Sequence, residues 1–138
     1  KHRASYHGAF SADVVDLHED YIRPQENGSH ADCNKVVISG GGLSLAAVGP
    51  TPFSFNASRY TQEELAARHR NTELTPSGST VLCLDAAMAG IGSNSCGPAL
   101  RPRYQVDSQE LGMELHLLLN PLITHTSTHT STHNEVKP

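Results

Sequence analysis

The sequence predicts an all-β fold, an antiparallel β-sandwich with one short helix near residues 62–70. Short apolar runs recur along the chain, and several of them alternate between apolar and polar residues as a half-buried strand does. Glycine and proline separate these runs, which is typical of turns between antiparallel strands. Hydrophobic residues make up 37% of the 138 positions, enough apolar material for the core of one domain.

The first predicted element is a β-hairpin. Residues 36–39 (Val-Val-Ile-Ser) and residues 43–48 (Leu-Ser-Leu-Ala-Ala-Val) are both short and largely apolar. Glycines at positions 40–42 join them, and glycine accepts the positive φ angles that a tight hairpin turn requires. We therefore expect the two runs to pair antiparallel.

Four further segments are predicted to be strands. Their apolar residues alternate or run continuously over three to five positions, and proline precedes or ends two of them. Pro50 and Pro52 come before the first segment, and Pro121 follows the last. The segments are residues 53–56, 81–84, 104–106 and 113–117.

The predicted helix begins at Thr61 and extends over residues 63–70. Thr61 and Glu64 form a capping box, in which the hydroxyl accepts from the third helical amide and Glu64 reaches back to the Thr61 amide. Glutamates lie near the start of this segment and arginines near its end, as the helix dipole favours. A helix of about two turns is marginal alone, so Leu65 should dock on the sheet.

The last part of the chain has the composition of a disordered tail. Residues 124–133 repeat threonine, serine and histidine without an apolar side chain to bury. We therefore divide the chain into a folded region, residues 1–122, and a Thr/Ser/His-rich tail, residues 123–138. On a helix, His125, His129 and His133 would share one face and could bind a transition metal. Threonine and serine disfavour a helix here, so no functional metal site is predicted.

Charge and hydropathy argue against two classes of partner. The chain has 10 Lys and Arg against 14 Asp and Glu, a net charge of −4. Such a chain lacks the basic surface that binds nucleic acid or an anionic membrane. No apolar run of about 18 residues occurs, and the opening Lys1-His2-Arg3 leads into polar residues. We expect neither a nucleic-acid nor a membrane partner.

The cysteines favour a reducing compartment. Cys33, Cys83 and Cys96 are odd in number, widely spaced and without a Cys-x-x-Cys pair. This pattern supports neither a disulfide framework nor a structural zinc site. A cytoplasmic protein is the prediction.

The candidate site lies on the loop of residues 86–98, which follows a predicted strand ending at Asp85. The loop contains three glycines and is longer than a chain reversal requires, and long ordered loops often bind ligands. Asn94 and Ser95 offer neutral hydrogen-bonding groups that suit a sugar. Cys96 is a conceivable nucleophile, but no base can be assigned to it. The alternative is a purely structural loop.

A second polar segment is assigned no chemistry. His18-Glu19-Asp20 lacks the helical histidine spacing of a zinc protease. We interpret it as a solvated turn.

Three ordered motifs carry a family resemblance. They are residues 21–28 (Tyr-Ile-Arg-Pro-Gln-Glu-Asn-Gly), residues 52–65 and residues 85–98. Together they resemble the C-terminal region of the β-galactosidases of glycoside hydrolase family 2, over roughly residues 5–122. The resemblance implies part of a super-sandwich like that of galactose mutarotases, lying after a catalytic (β/α)8 barrel in the parent chain.

The resemblance also implies a function. The parent would hydrolyse terminal non-reducing β-D-galactose residues of β-galactosides such as lactose, with two barrel glutamates as its catalytic residues. A barrel takes about 250 residues, more than this whole chain, so we expect no catalytic residue and no metal ligand here. The magnesium and sodium that the family often uses would belong to the barrel. The implied partners are the sugar and the barrel of the same polypeptide.

The resemblance places Asn94, Ser95 and Cys96 at the wall of the sugar pocket. The family fills the position of Cys96 with a small residue or with an aromatic, whose face can stack on a sugar ring. Cysteine offers much less surface, so its contact would be steric or weakly apolar. Glu26 and Asn27 belong to another family motif and either face the sugar or organise a turn.

Two other hypotheses compete with the β-galactosidase interpretation. The predicted sandwich and the polar loop also fit a stand-alone carbohydrate-binding or mutarotase-like module, although the chain has no Trp and only 5% aromatic residues to stack on sugars. A purely structural or assembly element is the third. Unpaired strand edges on an incomplete sandwich predict a homo-oligomer.

Overall fold

Four antiparallel strands and one short α-helix make up the part of the chain that the computed structural model describes, namely residues 7–88, 101–102, 105–106 and 110–122. The strands are β1 (His30–Gly40), β2 (Leu43–Ser58), β3 (Val81–Asp85) and β4 (His116–Pro121). The helix α1 spans Gln62–Ala67, and 3-10 turns lie at Val14–Leu17 and Asn71–Glu73. The predicted tail and its boundary after residue 122 fall outside these residues.

The long strand β2 lies at the centre of the sheet. β1 pairs with it along one side. On the other side β4 pairs with residues 43–48 and β3 pairs with residues 54–58, so two short strands follow one another along the same edge. All three pairings are antiparallel, which confirms the all-β class. The described strands form one open sheet of a sandwich-like fold.

The predicted hairpin is confirmed. Gly40 pairs with Leu43, which leaves a two-residue loop between β1 and β2. Gly41 and Gly42 have φ angles of 58° and 80°. Positive φ at both central positions is what a type I′ turn requires, and this turn matches the right-handed twist of the paired strands.

The prolines were expected to separate two strands, yet β2 continues through both of them. Lys35 pairs with Val48, whereas Cys33 pairs with Phe53, so residues 49–52 bulge out of the β1 ladder. On the other side, β4 contacts end at Val48 and β3 contacts begin at Ser54. Pro50 and Pro52 therefore lie where a missing N–H removes no ladder hydrogen bond.

The remaining strand predictions have different outcomes. The run at residues 81–84 is confirmed as β3. Gln105 and Val106 are not in a strand, because the Gln105 amide closes a turn onto the Pro102 carbonyl at 3.1 Å. The run at residues 113–117 is displaced: β4 begins at His116, opposite Val48, and ends at Pro121.

The helix starts as predicted and ends early. Thr61 Oγ1 accepts from the Glu64 amide at 3.1 Å, which is half of the capping box. The other half is wrong, because the Glu64 carboxylate accepts from Arg68 Nε at 2.9 Å and from the Thr75 amide at 2.8 Å. Arg68 is already extended, so the helix ends at Ala67 and not at residue 70. Leu65 is buried, as expected.

The core lies on one face of the sheet. Val36, Ala47 and Phe53 form its buried centre, and partly buried neighbours such as Phe55 and Leu84 pack against it. Val36 pairs with Ala47, and paired residues project from the same face. Burial of these apolar side chains provides the main free energy that holds the sheet together.

Candidate functional site

The predicted site residues Asn94, Ser95 and Cys96 lie outside the described residues. The structure describes the start of their loop: β3 ends at Asp85, as predicted, and Met88 is 46% exposed. The loop thus leaves the sheet from the C-terminal end of β3.

The structure brings a different set of polar residues together in a small cleft. The cleft lies between the arm, residues 17–28, and the adjoining ends of β2 and β3, with α1 closing one side. Its volume of about 20 Å³ has room for one water molecule. The polar residues that line it are His18, Glu26, Asn27, Asn56, Ser58, Tyr60, Gln62 and Cys83.

Asn27 fixes the shape of the arm. Its Nδ2 donates to the carbonyl oxygens of Glu19 at 3.2 Å and Gln25 at 3.1 Å, while its Oδ1 accepts from the Glu19 amide at 3.0 Å. Asn56 on β2 donates from Nδ2 to the Asn27 carbonyl, which ties the arm to the sheet. Of the two roles left open for Asn27, these contacts are those of a turn organiser.

His18 joins the arm to the segment that follows α1. Its Nε2 lies 3.4 Å from Asn71 Oδ1 and 3.5 Å from Asp20 Oδ1, and its ring meets Tyr60 edge-on with centroids 5.0 Å apart. The side chain is only 15% exposed. The solvated turn predicted here is therefore wrong for His18, because ring packing and long-range hydrogen bonds hold it inward. Glu19 and Asp20 are exposed, as that prediction requires.

Glu26 and Cys83 meet through the first residue of the helix. Gln62 Nε2 donates to Glu26 Oε2 at 3.3 Å and lies 3.7 Å from Cys83 Sγ. Burial, and then the charges of Asp85 and Glu26, raise the pKa of the Cys83 thiol. Burial likewise raises the pKa of the Cys33 thiol. A raised pKa keeps a thiol protonated, which is the opposite of what a nucleophilic cysteine needs.

The adjacent acids of α1 are stabilised as carboxylates. A backbone hydrogen bond and then the Thr61 hydroxyl lower the pKa of Glu63. The hydrogen bond from Arg68 and then that from the Thr75 amide lower the pKa of Glu64. A general acid at neutral pH needs a raised pKa, so this pair is suited to capping and ion pairing and not to proton donation.

Within residues 7–88 and the later described stretches, no group of three or more His, Cys, Asp or Glu side chains could hold a metal ion. The helices in those same stretches are all too short or too polar to cross a bilayer.

Sequence reasoning missed most of the cleft. The Asn27-Gly28 dipeptide is a strong turn signal and could have assigned the role of Asn27. Gln62 and Cys83 carry no such local signal, because Gln62 meets Glu26 across 36 positions of the sequence and Cys83 across 21.

Comparison with known proteins agrees with the motifs. A family model described as the beta galactosidase small chain matches residues 1–119. The beta-galactosidase of Actinobacillus pleuropneumoniae is 41% identical over 118 residues, covering 86% of this chain and 11% of that protein. The beta-galactosidase of Staphylococcus xylosus is 37% identical over 83% of this chain and 12% of its own length. That of Kluyveromyces lactis is 34% identical over 78% and 10%.

The chain spans about a tenth of the length of these curated relatives. The family match nevertheless covers the arm, the helix, strands β1 to β3 and most of β4. All of the cleft residues lie within it. A match that extends over most of the chain shows that it belongs to the beta-galactosidase small-chain family.

Proposed function

We propose that this chain is a C-terminal, non-catalytic part of a cytoplasmic β-galactosidase. The parent enzyme would remove terminal non-reducing β-D-galactose from β-galactosides such as lactose, with its catalytic barrel outside residues 1–138. The match of residues 1–119 to the small-chain family carries this proposal, together with the similarity to the beta-galactosidases of Actinobacillus pleuropneumoniae and Staphylococcus xylosus. The chain would supply scaffold and one wall of the sugar pocket.

The hydrogen bonds and pKa directions of the described acidic side chains support a non-catalytic role. A retaining glycosidase needs two carboxyl groups about 5–5.5 Å apart, one of them with a raised pKa. The adjacent pair Glu63 and Glu64 has the opposite shift. Other described carboxylates accept structural hydrogen bonds: Glu26 from Gln62, Asp20 from Asn71, and Glu73 from the His69 and Arg70 amides.

The proposal also covers the metal ions and the cellular compartment. Magnesium or sodium used by the parent would be held by the barrel and not by this chain. Free thiols at Cys33 and Cys83, each half-buried, support a reducing compartment such as the cytoplasm.

The first test is an activity assay on the purified chain. We expect no product from a chromogenic β-galactoside above the blank, because the proposed catalytic pair lies elsewhere. A full-length relative assayed beside it shows that the substrate and conditions are adequate. Turnover that survives several purification steps would overturn the non-catalytic assignment.

Calorimetry separates the proposal from a stand-alone binding module. Galactose and lactose titrated into the chain should give no saturable heat, because one lip of a shared pocket buries too little of a sugar to bind it. Millimolar or tighter binding would favour the module instead.

The proposed pocket wall is Asn94, Ser95 and Cys96, and it is tested in the full-length parent. An aromatic contact adds about 0.5–1.5 kcal/mol beyond its buried area, so Cys96→Trp should change KM or aglycone preference by about two- to tenfold. The melting temperature should change little, and Cys96→Ser serves as the size-matched control. Unchanged kinetics on several β-galactosides would remove Cys96 from the wall.

A further inference from the structure

Asn27 is the one asparagine of the sequence that is followed by glycine. Asparagine is a thermolabile residue, because the main-chain nitrogen of the next residue can attack its side-chain amide. Glycine hinders this attack least, since it has no Cβ. Asn27-Gly28 therefore combines the sequence most prone to deamidation with the asparagine that fixes the shape of the arm.

The reaction has two steps and consumes one water molecule. The Gly28 nitrogen loses its proton to solvent and bonds to Asn27 Cγ, while the bond from Cγ to Nδ2 breaks and Nδ2 leaves as ammonia after taking up a proton. The product is a five-membered succinimide ring. Water then breaks one of the two bonds from the ring nitrogen to a carbonyl carbon, which leaves either aspartate or isoaspartate at position 27. No oxidant or reductant is needed.

The docked arm holds both parts of Asn27 that the ring must join. Nδ2 donates to the carbonyl oxygens of Glu19 at 3.2 Å and Gln25 at 3.1 Å, and Oδ1 accepts from the Glu19 amide at 3.0 Å. The main-chain carbonyl of Asn27, whose carbon is also a member of the ring, accepts from Asn56 Nδ2. The ring fixes the torsion angles between these two groups, so its formation disturbs the hydrogen bonds of both.

The attacking residue is confined as well. Gly28 is only partly exposed and has a φ of 76°. A Cβ on Gly28 would lie 2.7 Å from the Leu17 carbonyl oxygen, so the far end of the arm packs closely against this residue. While Leu17 stays in place, the Gly28 nitrogen has little room to move onto Asn27 Cγ.

We propose that Asn27-Gly28 is a deamidation site that is closed while the arm is docked on the sheet and open when the arm detaches. Groups protected by native structure react through such local openings. Three side-chain hydrogen bonds of Asn27 break in the opening, so the reaction should be at least about tenfold slower in the folded chain than in the unfolded chain.

The reacted arm does not dock as before. Nδ2 donates to two carbonyl oxygens, whereas the carboxylate that replaces it only accepts hydrogen bonds. Isoaspartate also adds one carbon atom to the main chain beside Gly28, where the Leu17 carbonyl leaves no spare room. Deamidation therefore makes the detachment of the arm irreversible.

Mass spectrometry tests the site itself. In urea at mildly alkaline pH, Asn27 should lose ammonia and gain water, and fragmentation of the peptides separates this position from the other asparagines. The folded chain at the same temperature and pH should react at least about tenfold more slowly. Asn27→Gln is the control in urea, because its longer side chain closes only a less favoured six-membered ring and should leave position 27 unreacted.

Asn56→Ala tests the role of the docked arm. It removes the donor to the Asn27 carbonyl and leaves Asn27 and Gly28 unchanged, so deamidation of the folded chain should become about two- to tenfold faster. Asn34→Ala is the matched control, since Asn34 is exposed on β1, and it should have no effect. In urea both variants should react at the rate of the unchanged chain. Circular dichroism checks that both are folded without urea.

Asn27→Asp tests the consequence, because it has the aspartate product at position 27. Its midpoint of urea denaturation should be lower than that of the unchanged chain, and so should that of chain aged in urea and refolded.

Four results would overturn the proposal: no reaction at Asn27 in urea, equal rates in the folded and unfolded chain, Asn56→Ala reacting no faster than Asn34→Ala when folded, or an unchanged midpoint for Asn27→Asp. All four are measured on the chain itself, so they are independent of the sugar assays and of the proposed pocket wall.

Discussion

Phe53→Ala is expected to lower the free energy of unfolding by about 3–5 kcal/mol, the range found when a buried phenylalanine is truncated. Phe53 is 2% exposed and packs with Val36 and Ala47 in the buried centre of the sheet. Its removal takes apolar area out of the core and leaves a cavity that the paired strands cannot close. Domains are stable by only about 5–15 kcal/mol, so the change is a large fraction of the total. Urea denaturation followed by circular dichroism measures it.

Phe10→Ala is the matched control for this prediction. Phe10 is 72% exposed, and surface truncations usually change stability by less than about 0.5 kcal/mol. If Phe53→Ala does not fold, Phe53→Leu keeps most of the volume and should lose less than about 1.5 kcal/mol. Equal losses for Phe10→Ala and Phe53→Ala would mean that the described cluster is not the core.

The parts of the fold that local chemistry decides could be predicted from the sequence. The hairpin depends on a glycine loop and two apolar runs that are neighbours in the chain, and both were confirmed. The helix start is equally local, because Thr61 caps an amide only three residues away. The end of the helix was not predictable in this way, because good helix formers continue to residue 70 although Arg68 is already extended.

The parts that long-range pairing decides could not be predicted. Whether Pro50 and Pro52 end a strand depends on what lies beside them, and that is set by β3 and β4, which come much later in the sequence. The start of β4 at His116 depends on its partner Val48 in the same way. Alternating apolar residues indicate that a strand exists, but its ends are fixed by the strand it pairs with.

The cleft illustrates the same limit for a site. Asn27 makes its contacts within the arm, to Glu19 and Gln25, and its Asn-Gly signal was available in the sequence. His18 was read as solvated because its partners Tyr60 and Asn71 are 42 and 53 positions away. A histidine in a polar segment gives no local sign of which distant ring or amide will cover it.

Gly28→Ala is expected to destabilise the chain by about 2–4 kcal/mol, because two penalties act at one position. Gly28 has a φ of 76°, and a side chain in this region costs about 1–2 kcal/mol. A Cβ at Gly28 would also lie 2.7 Å from the Leu17 carbonyl oxygen, closer than real contacts allow. That oxygen belongs to the backbone, so relief requires the Leu17 end of the arm to move away from Gly28, whose neighbour Asn27 is held by Asn56.

Gly78→Ala separates the two penalties. Gly78 has nearly the same φ, 79°, but a Cβ there would meet nothing within 4 Å. We therefore expect Gly78→Ala to show the conformational penalty alone, about 1–2 kcal/mol in urea denaturation, and Gly28→Ala to exceed it. Hydrogen exchange of the Glu19 amide, which donates to Asn27 Oδ1, should become faster only in Gly28→Ala. Equal losses and an unchanged Glu19 amide would show that Leu17 does not approach Gly28 as closely as the structure places it.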